Sequence, residues 1–174
     1  IETSRVVLES NAAHQTVTTI TFSPDGQHMA TGGPRSLRLW DITDNDQWKT
    51  ERLHIWRARS RDANVQCLAF SPDGTRLASG CDDDWLYFWD VVSRTALSRV
   101  RFSAGFATVV FSDDSARLCT ANADKLCVWA TPHWQYRSPL FGRREPSAGV
   151  WLHPKKDLVI AGTRDGILDF YDLN

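Results

Sequence analysis

No run of the 174 residues approaches the roughly 18 consecutive apolar positions that a membrane-crossing helix needs, and no apolar signal segment stands at the start. A membrane partner is therefore not expected. Neither sign of charge prevails: the formal net charge of −1 excludes attraction of the whole surface to nucleic acid or anionic lipid and leaves only local patches. There is no glycine-rich phosphate loop, no HExxH and no GxSxG, and the histidines (His14, His28, His54, His133 and His153) are scattered. No catalytic, cofactor or metal residues are expected from such a text. Cys67, Cys81, Cys119 and Cys127 show no CxxC spacing, and three of them fall in expected strands, where cysteine acts as a small hydrophobe. The expectation is four reduced thiols in a cytoplasmic protein, against the alternative of a disulfide between neighbouring strands. The chain opens with Ile1, as a processed or excised part of a longer protein would.

What is present is a repeated text, stated most completely from Asn64 to Asp90 (NVQCLAFSPDGTRLASGCDDDWLYFWD). Val65 to Phe70 reads as a strand. Ser71-Pro72-Asp73-Gly74 must reverse the chain, because Pro presets one turn dihedral and Gly tolerates positive φ. Thr75 to Gly80 runs back, Cys81 to Asp84 forms a second polar turn, and Trp85 to Asp90 has the aromatic and aliphatic content of a third strand.

The text recurs at 17–42, 107–130 and 148–173. Phe22, Phe70, Phe111 and Leu152 stand 48, 41 and 41 residues apart, and the closing aromatics Trp40, Trp89, Trp129 and Tyr171 are spaced 49, 40 and 42. Periods of about 40 to 45 residues ending in Trp-Asp are the mark of four-stranded propeller blades. On these residues the chain resembles the WD-repeat family of β-propellers over nearly all its length.

The resemblance implies an all-β propeller with four blades in this chain, expected at 11–56, 57–102, 103–141 and 142–174. Glu51 to Trp56, Leu97 to Phe102 and Gln135 to Phe141 are the expected outer strands, and the last repeat has none after it. The RVVLE stretch within residues 1–10 has no hairpin partner, so the family's device of an N-terminal strand completing the final blade is expected here. Because the family's rings have more than four blades, a longer propeller or an eight-bladed dimer is expected over a lone ring of four.

The family's hydrogen-bonded set of His, Ser/Thr, Asp and Trp is written incompletely. His14, Thr31 and Trp40 represent it in the first repeat, with Pro34 in the place of Asp; Ser79, Asp83 and Trp89 in the second; Trp129 in the third, with Asp124 out of register; and Asp165 with Tyr171 in the fourth. These are expected to be structural. Asp82-Asp83-Asp84 lacks the alternating ligand spacing of a known calcium loop, so the expected role is a hairpin in which Asp83 bonds to backbone or to Ser79.

The densest aromatic and basic stretch is Trp56-Arg57-Ala58-Arg59-Ser60-Arg61, and Arg143-Arg144 stands in the corresponding connection two repeats on. Arg binds carboxylate or phosphate bidentately and stacks on rings, so these residues are the expected partner site; the plainer alternative is a solvated loop neutralised by Asp62 and Glu145. Strands of a blade alternate in direction. The outer-to-inner connections and the second-to-third turns therefore share one face, opposite Asp25, Asp44, Asp46, Asp73, Asp113 and Asp114. The expected function is a non-catalytic scaffold or sensor module binding a protein or an acidic or mixed-charge peptide on the basic face, with homodimerisation or continuation into a longer chain as the means of closure. The alternatives are a nucleic-acid or phosphate binder using the same arginines, and an enzyme with a site in the central channel.

Overall fold

The first turn of each repeat shows why the sequence folds as it does. In the computed structural model Ser71 Oγ donates to Asp73 Oδ1 at 2.5 Å and accepts from Arg76 N at 3.0 Å, while Asp73 Oδ1 also accepts from Thr75 N at 2.9 Å. Gly74 closes the turn at φ 71°. The same arrangement links Ser23, Asp25, Gln27 and His28, and again Ser112, Asp114, Ala116 and Arg117. Gly26 takes the left-handed position at φ 69°, and Ser115 takes it in the third turn at φ 57°, where only glycine is free of Cβ strain.

The structure describes residues 16–43, 49–53, 63–101, 105, 108–122, 125–131, 135–140, 146–153 and 156–173. Each turn joins two strands of an antiparallel sheet. The first sheet holds β1 (Thr19–Phe22), β2 (His28–Gly33), β3 (Ser36–Asp41) and β4 (Lys49–Leu53) in that order. The second holds β5 (Val65–Phe70), β6 (Arg76–Cys81), β7 (Trp85–Asp90) and β8 (Thr95–Arg101). The third holds β9 (Thr108–Phe111), β10 (Arg117–Ala121), β11 (Leu126–Ala130) and β12 (Gln135–Leu140). The last has β13 (Pro146–Leu152), β14 (Leu158–Thr163) and β15 (Leu168–Asp172), so among the described residues it is three-stranded.

The sheets stack in chain order. First strands of successive sheets lie side by side, β1 against β5, β5 against β9 and β9 against β13, as inner strands around an axis do. Three apolar clusters fill the spaces between sheets. One holds Leu39 of β3 against Phe70 and Trp89; the next Phe88 against Phe111 and Trp129; the last Val128 against Val150 and Val159. Each sheet is therefore apolar on both faces, and the inter-sheet layers are the core. Close approach has a sequence requirement: a Cβ on Gly32 would sit 2.6 Å from Val65 Cγ1. The four sheets form an arc of a β-propeller.

Four expectations shift, one of them the outer strand expected at Leu97 to Phe102, which spans Thr95–Arg101 in register with Asp90 to Trp85. Cys81 was expected in a turn and ends β6 instead, because its backbone pairs with Val65; all four cysteines thus lie in strands. The outer strand expected at Glu51 to Trp56 spans Lys49–Leu53, in register with Asp41 to Leu37. The strand expected to begin at Thr75 begins at Arg76, since Thr75 is held in the turn by Asp73. The N-terminal strand expected within residues 1–10 lies outside the described residues.

Candidate functional site

The second-to-third-strand turns collect on one face of the arc, together with the ends of the connections between sheets. They hold one another in place. Arg35 N donates to Ala63 O at 2.9 Å, and Asn64 donates from N and Nδ2 to the two carboxylate oxygens of Asp82, each at 2.7 Å. One sheet further, Asp84 Oδ1 accepts from Gly105 N at 3.1 Å, and Asn122 Nδ2 donates to Gly105 O at 3.2 Å. Arg101 Nη2 stands 3.9 Å from Asp84 Oδ2, an exposed and weak pair. Two of the three consecutive aspartates are thus spent on fixing connections.

Asp83 is different. Its Oδ1 accepts from Trp85 N at 3.3 Å, whereas Oδ2 is buried with no hydrogen-bond partner among the described residues. Burial pushes its carboxyl above the usual carboxylate range, and the neighbouring charge of Asp82 adds to the shift. Of the two partners expected for Asp83, backbone or Ser79, the backbone is the one it meets, and Ser79 Oγ accepts from Trp89 Nε1 at 2.9 Å. Beside this turn the Arg99 guanidinium lies 4.4 Å from the centroid of the Trp85 ring, a cation–π contact. Arg99 pairs in register with Tyr87, one pleat from Trp85, so the SRVR alternation of β8 was the signal that could have found it.

Of the residues expected to be structural, Trp40 Nε1 donates to Thr31 Oγ1 at 2.9 Å, repeating the Trp89 to Ser79 bond. Trp129 Nε1 does the same to Thr120 Oγ1 at 2.9 Å. Thr120 was missed in the sequence, although it precedes its Trp by nine residues as Thr31 does. In the last sheet Ala161 stands where the hydroxyl belongs; Tyr171 donates instead to Asp169 Oδ2 at 3.3 Å, and Asp165 accepts from the Thr163 hydroxyl. His14, Trp56, Arg57, Arg59, Arg61, Arg143 and Arg144 lie outside the described residues.

The opposite face carries the first turns, where Asp25, Asp73 and Asp114 are engaged by their own turns. The Ser23 hydroxyl and the Gln27 amide hold the Asp25 carboxyl below its usual range, and the Ser112 hydroxyl does so for Asp114. For Asp73 burial acts upward but is outweighed by hydrogen bonds from Ser71 and Thr75, so it too is lowered. Among the described residues no group of three or more His, Cys, Asp or Glu side chains is arranged to hold a metal ion.

The repeated sheets, their Trp-to-hydroxyl bonds and the Ser-Asp turns now stand beside one further finding. Residues 5–41 and 51–90 match the family model described as WD domain, G-beta repeat. These two stretches are WD repeats. Periodic tryptophan protein 2 of Arabidopsis thaliana is 27% identical over 158 residues, which is 88% of this chain and 17% of that protein. The Anaphase-promoting complex subunit cdc20 of Dictyostelium discoideum is 24% identical over 164 residues, 90% of this chain and 32% of that one. The Guanine nucleotide-binding protein subunit beta of Oryza sativa subsp. indica is 28% identical over 138 residues, 73% and 35%. The chain thus spans a third or so of these WD-repeat relatives at most.

Proposed function

We propose that this WD-repeat chain is a non-catalytic scaffold or sensor segment that binds a protein or peptide of acidic or mixed charge on the face carrying the second-to-third turns and the inter-sheet connections. Charge of both signs exposed among the second-to-third turns and sheet connections, at Arg35, Asp82, Arg101 and Arg164, carries the reading. Trp56, Arg57, Arg59 and Arg61 lie in sequence between β4 and β5, and Arg143 and Arg144 between β12 and β13, and the proposal assigns them to the same face. Two relatives are by name subunits of larger assemblies, which supports a partner that is itself a protein.

The test is selection from a displayed random-peptide library. The intact chain is expected to enrich acidic or mixed-charge sequences, R57E/R59E is expected to lose them at unchanged melting temperature, and D44K/D46K to keep them. Enrichment that follows Asp44 and Asp46 overturns the face. Competition by duplex DNA with a steep salt dependence would move the reading to phosphate contacts, because those release counterions.

A further inference from the structure

The outer strands β4, β8 and β12 each pair with one strand and, among the described residues, have none on their other side. Such an edge offers backbone donors and acceptors to any extended segment, and proteins blunt it with proline, charge or a bulge. β12 carries Pro139, which has no donor to give, and β4 carries charges of both signs at Lys49, Glu51 and Arg52. β8 is the longest of the three, has no proline and no acid, and sets Arg99 and Arg101 two positions apart. The second sheet packs against the first and the third, so this edge follows from strand order within the sheet and owes nothing to where the chain begins or ends.

The two arginines share one face. Arg101 pairs in register with Trp85 and Arg99 with Tyr87, so all four side chains lie on the side turned toward the first sheet. Arg99 stacks 4.4 Å from the centroid of the Trp85 ring and donates to the Tyr87 hydroxyl, which orients the guanidinium while the residue stays exposed. The Arg101 side chain is 73% exposed, and Asp84 at 3.9 Å neutralises it only weakly. Leu97, the extra residue of the bulge opposite Phe88 and Trp89, is exposed as well.

We propose that β8 is an edge-docking site for an extended acidic segment of a partner protein, which adds a fifth strand to the second sheet. Main-chain hydrogen bonds along the edge supply the attraction common to any strand, and side chains at alternate positions supply the choice among strands. In an antiparallel partner, acidic residues two positions apart come opposite Arg101 and Arg99 on the same face, and opposite charges so placed favour the pairing. Charge selects the occupant. A second β8 is disfavoured, because each copy brings two arginines and no acid. A nucleic-acid backbone finds the arginines but cannot continue the ladder. The site runs along the rim of the sheet and meets the face proposed above only at Arg101.

The experiment measures binding of a labelled TETETVT peptide to the intact chain by fluorescence anisotropy, with amide hydrogen exchange followed along β8. The wild type is expected to bind, and the peptide to slow exchange within Thr95–Arg101 more than within β4 or β12. R101E, at an exposed position, is expected to weaken binding about tenfold at unchanged melting temperature, since it replaces an attractive cross-strand pair by a repulsive one. Two further comparisons need no variant. A TKTKTVT peptide is expected not to bind, and of two TETETVT peptides N-methylated at alternate positions only the one that loses its donors toward β8 is expected to fail. R57E/R59E is expected to keep the peptide; loss there assigns it to the other face and overturns the edge site. A wild type that does not bind, binding indifferent to R101E, equal binding of the two methylated peptides, or displacement by duplex DNA each overturns the proposal.

Discussion

Trp89 reaches from β7 back to Ser79 on β6, its Nε1 donating to the hydroxyl at 2.9 Å with both residues buried. The bond fixes the ring at the junction with the preceding sheet, where it packs with Leu39 and Phe70. A buried indole N–H left without an acceptor costs about 1–3 kcal/mol. Ser79→Ala is therefore expected to destabilise the fold by that amount in urea unfolding. Ser79→Thr, which keeps an acceptor hydroxyl as Thr31 and Thr120 do for Trp40 and Trp129, is expected to lose much less. Equal effects of the two changes would mean that the Trp bond does not set the loss.

Asp83 and the first-turn carboxylates Asp25, Asp73 and Asp114 respond to acid in opposite senses. Asp25, Asp73 and Asp114 are lowered in the folded state, so their contribution is present above the unfolded carboxyl value of 3.8 and is lost as pH falls through their folded values. Asp83 is raised, so its ionisation opposes folding at neutral pH and the penalty is relieved as pH falls through its folded value. Asp73→Ala is expected to lower the melting temperature at pH 7, with the difference shrinking below about pH 4. Asp83→Asn is expected to leave it unchanged or raise it at pH 7, and that gain also fades on acidification. A large loss in Asp83→Asn at pH 7 would show that its buried Oδ2 has an essential partner.

Strand content was legible because it is local. Val65 to Phe70 and Trp85 to Asp90 form strands with the bounds their apolar patterns suggest, and the Ser-Pro-Asp-Gly turns reverse the chain for reasons contained in four residues. Exposure was not legible. Phe22 and Phe70 stand in the same repeat position before the same turn, yet one faces water and the other a neighbouring sheet. Whether a face is covered depends on what lies beyond it, and no pattern within a repeat records that. The Asp82 bonds to Asn64 were hidden for a similar reason: they run between a turn and the entry of its own sheet, 18 positions away.

Cysteine chemistry offers a third check. Cys67 faces the junction with the third sheet and Cys81 the junction with the first, while Cys119 and Cys127 likewise lie on opposite faces of their sheet. Neither nearby pair can bring its sulfurs together without reversing a pleat. Burial pushes the Cys67 thiol up to about 12, and the thiols of Cys81 and Cys119 are also raised, so native thiolate is scarce. Four thiols are expected to react with a disulfide reagent in denaturant and to react slowly without it. Fewer than three in denaturant, with no prior air oxidation, would contradict this.

The last sheet ends at β15, which has no outer strand beside it among the described residues, while the other three sheets each have one. An open strand edge presents unpaired backbone groups and invites association with other chains. Residues 1–10 carry RVVLE, a strand-forming text without a hairpin partner, and we expect Val6 to Leu8 to pair along β15. Deleting residues 1–10 is then expected to lower the melting temperature and to promote aggregation through the freed edge, and an added peptide of that sequence should reverse part of both effects. A proline in place of Val7 is expected to reproduce the deletion, because it removes a ladder donor. If the truncated chain melts and stays soluble as the whole one does, the first ten residues have no place in the sheet.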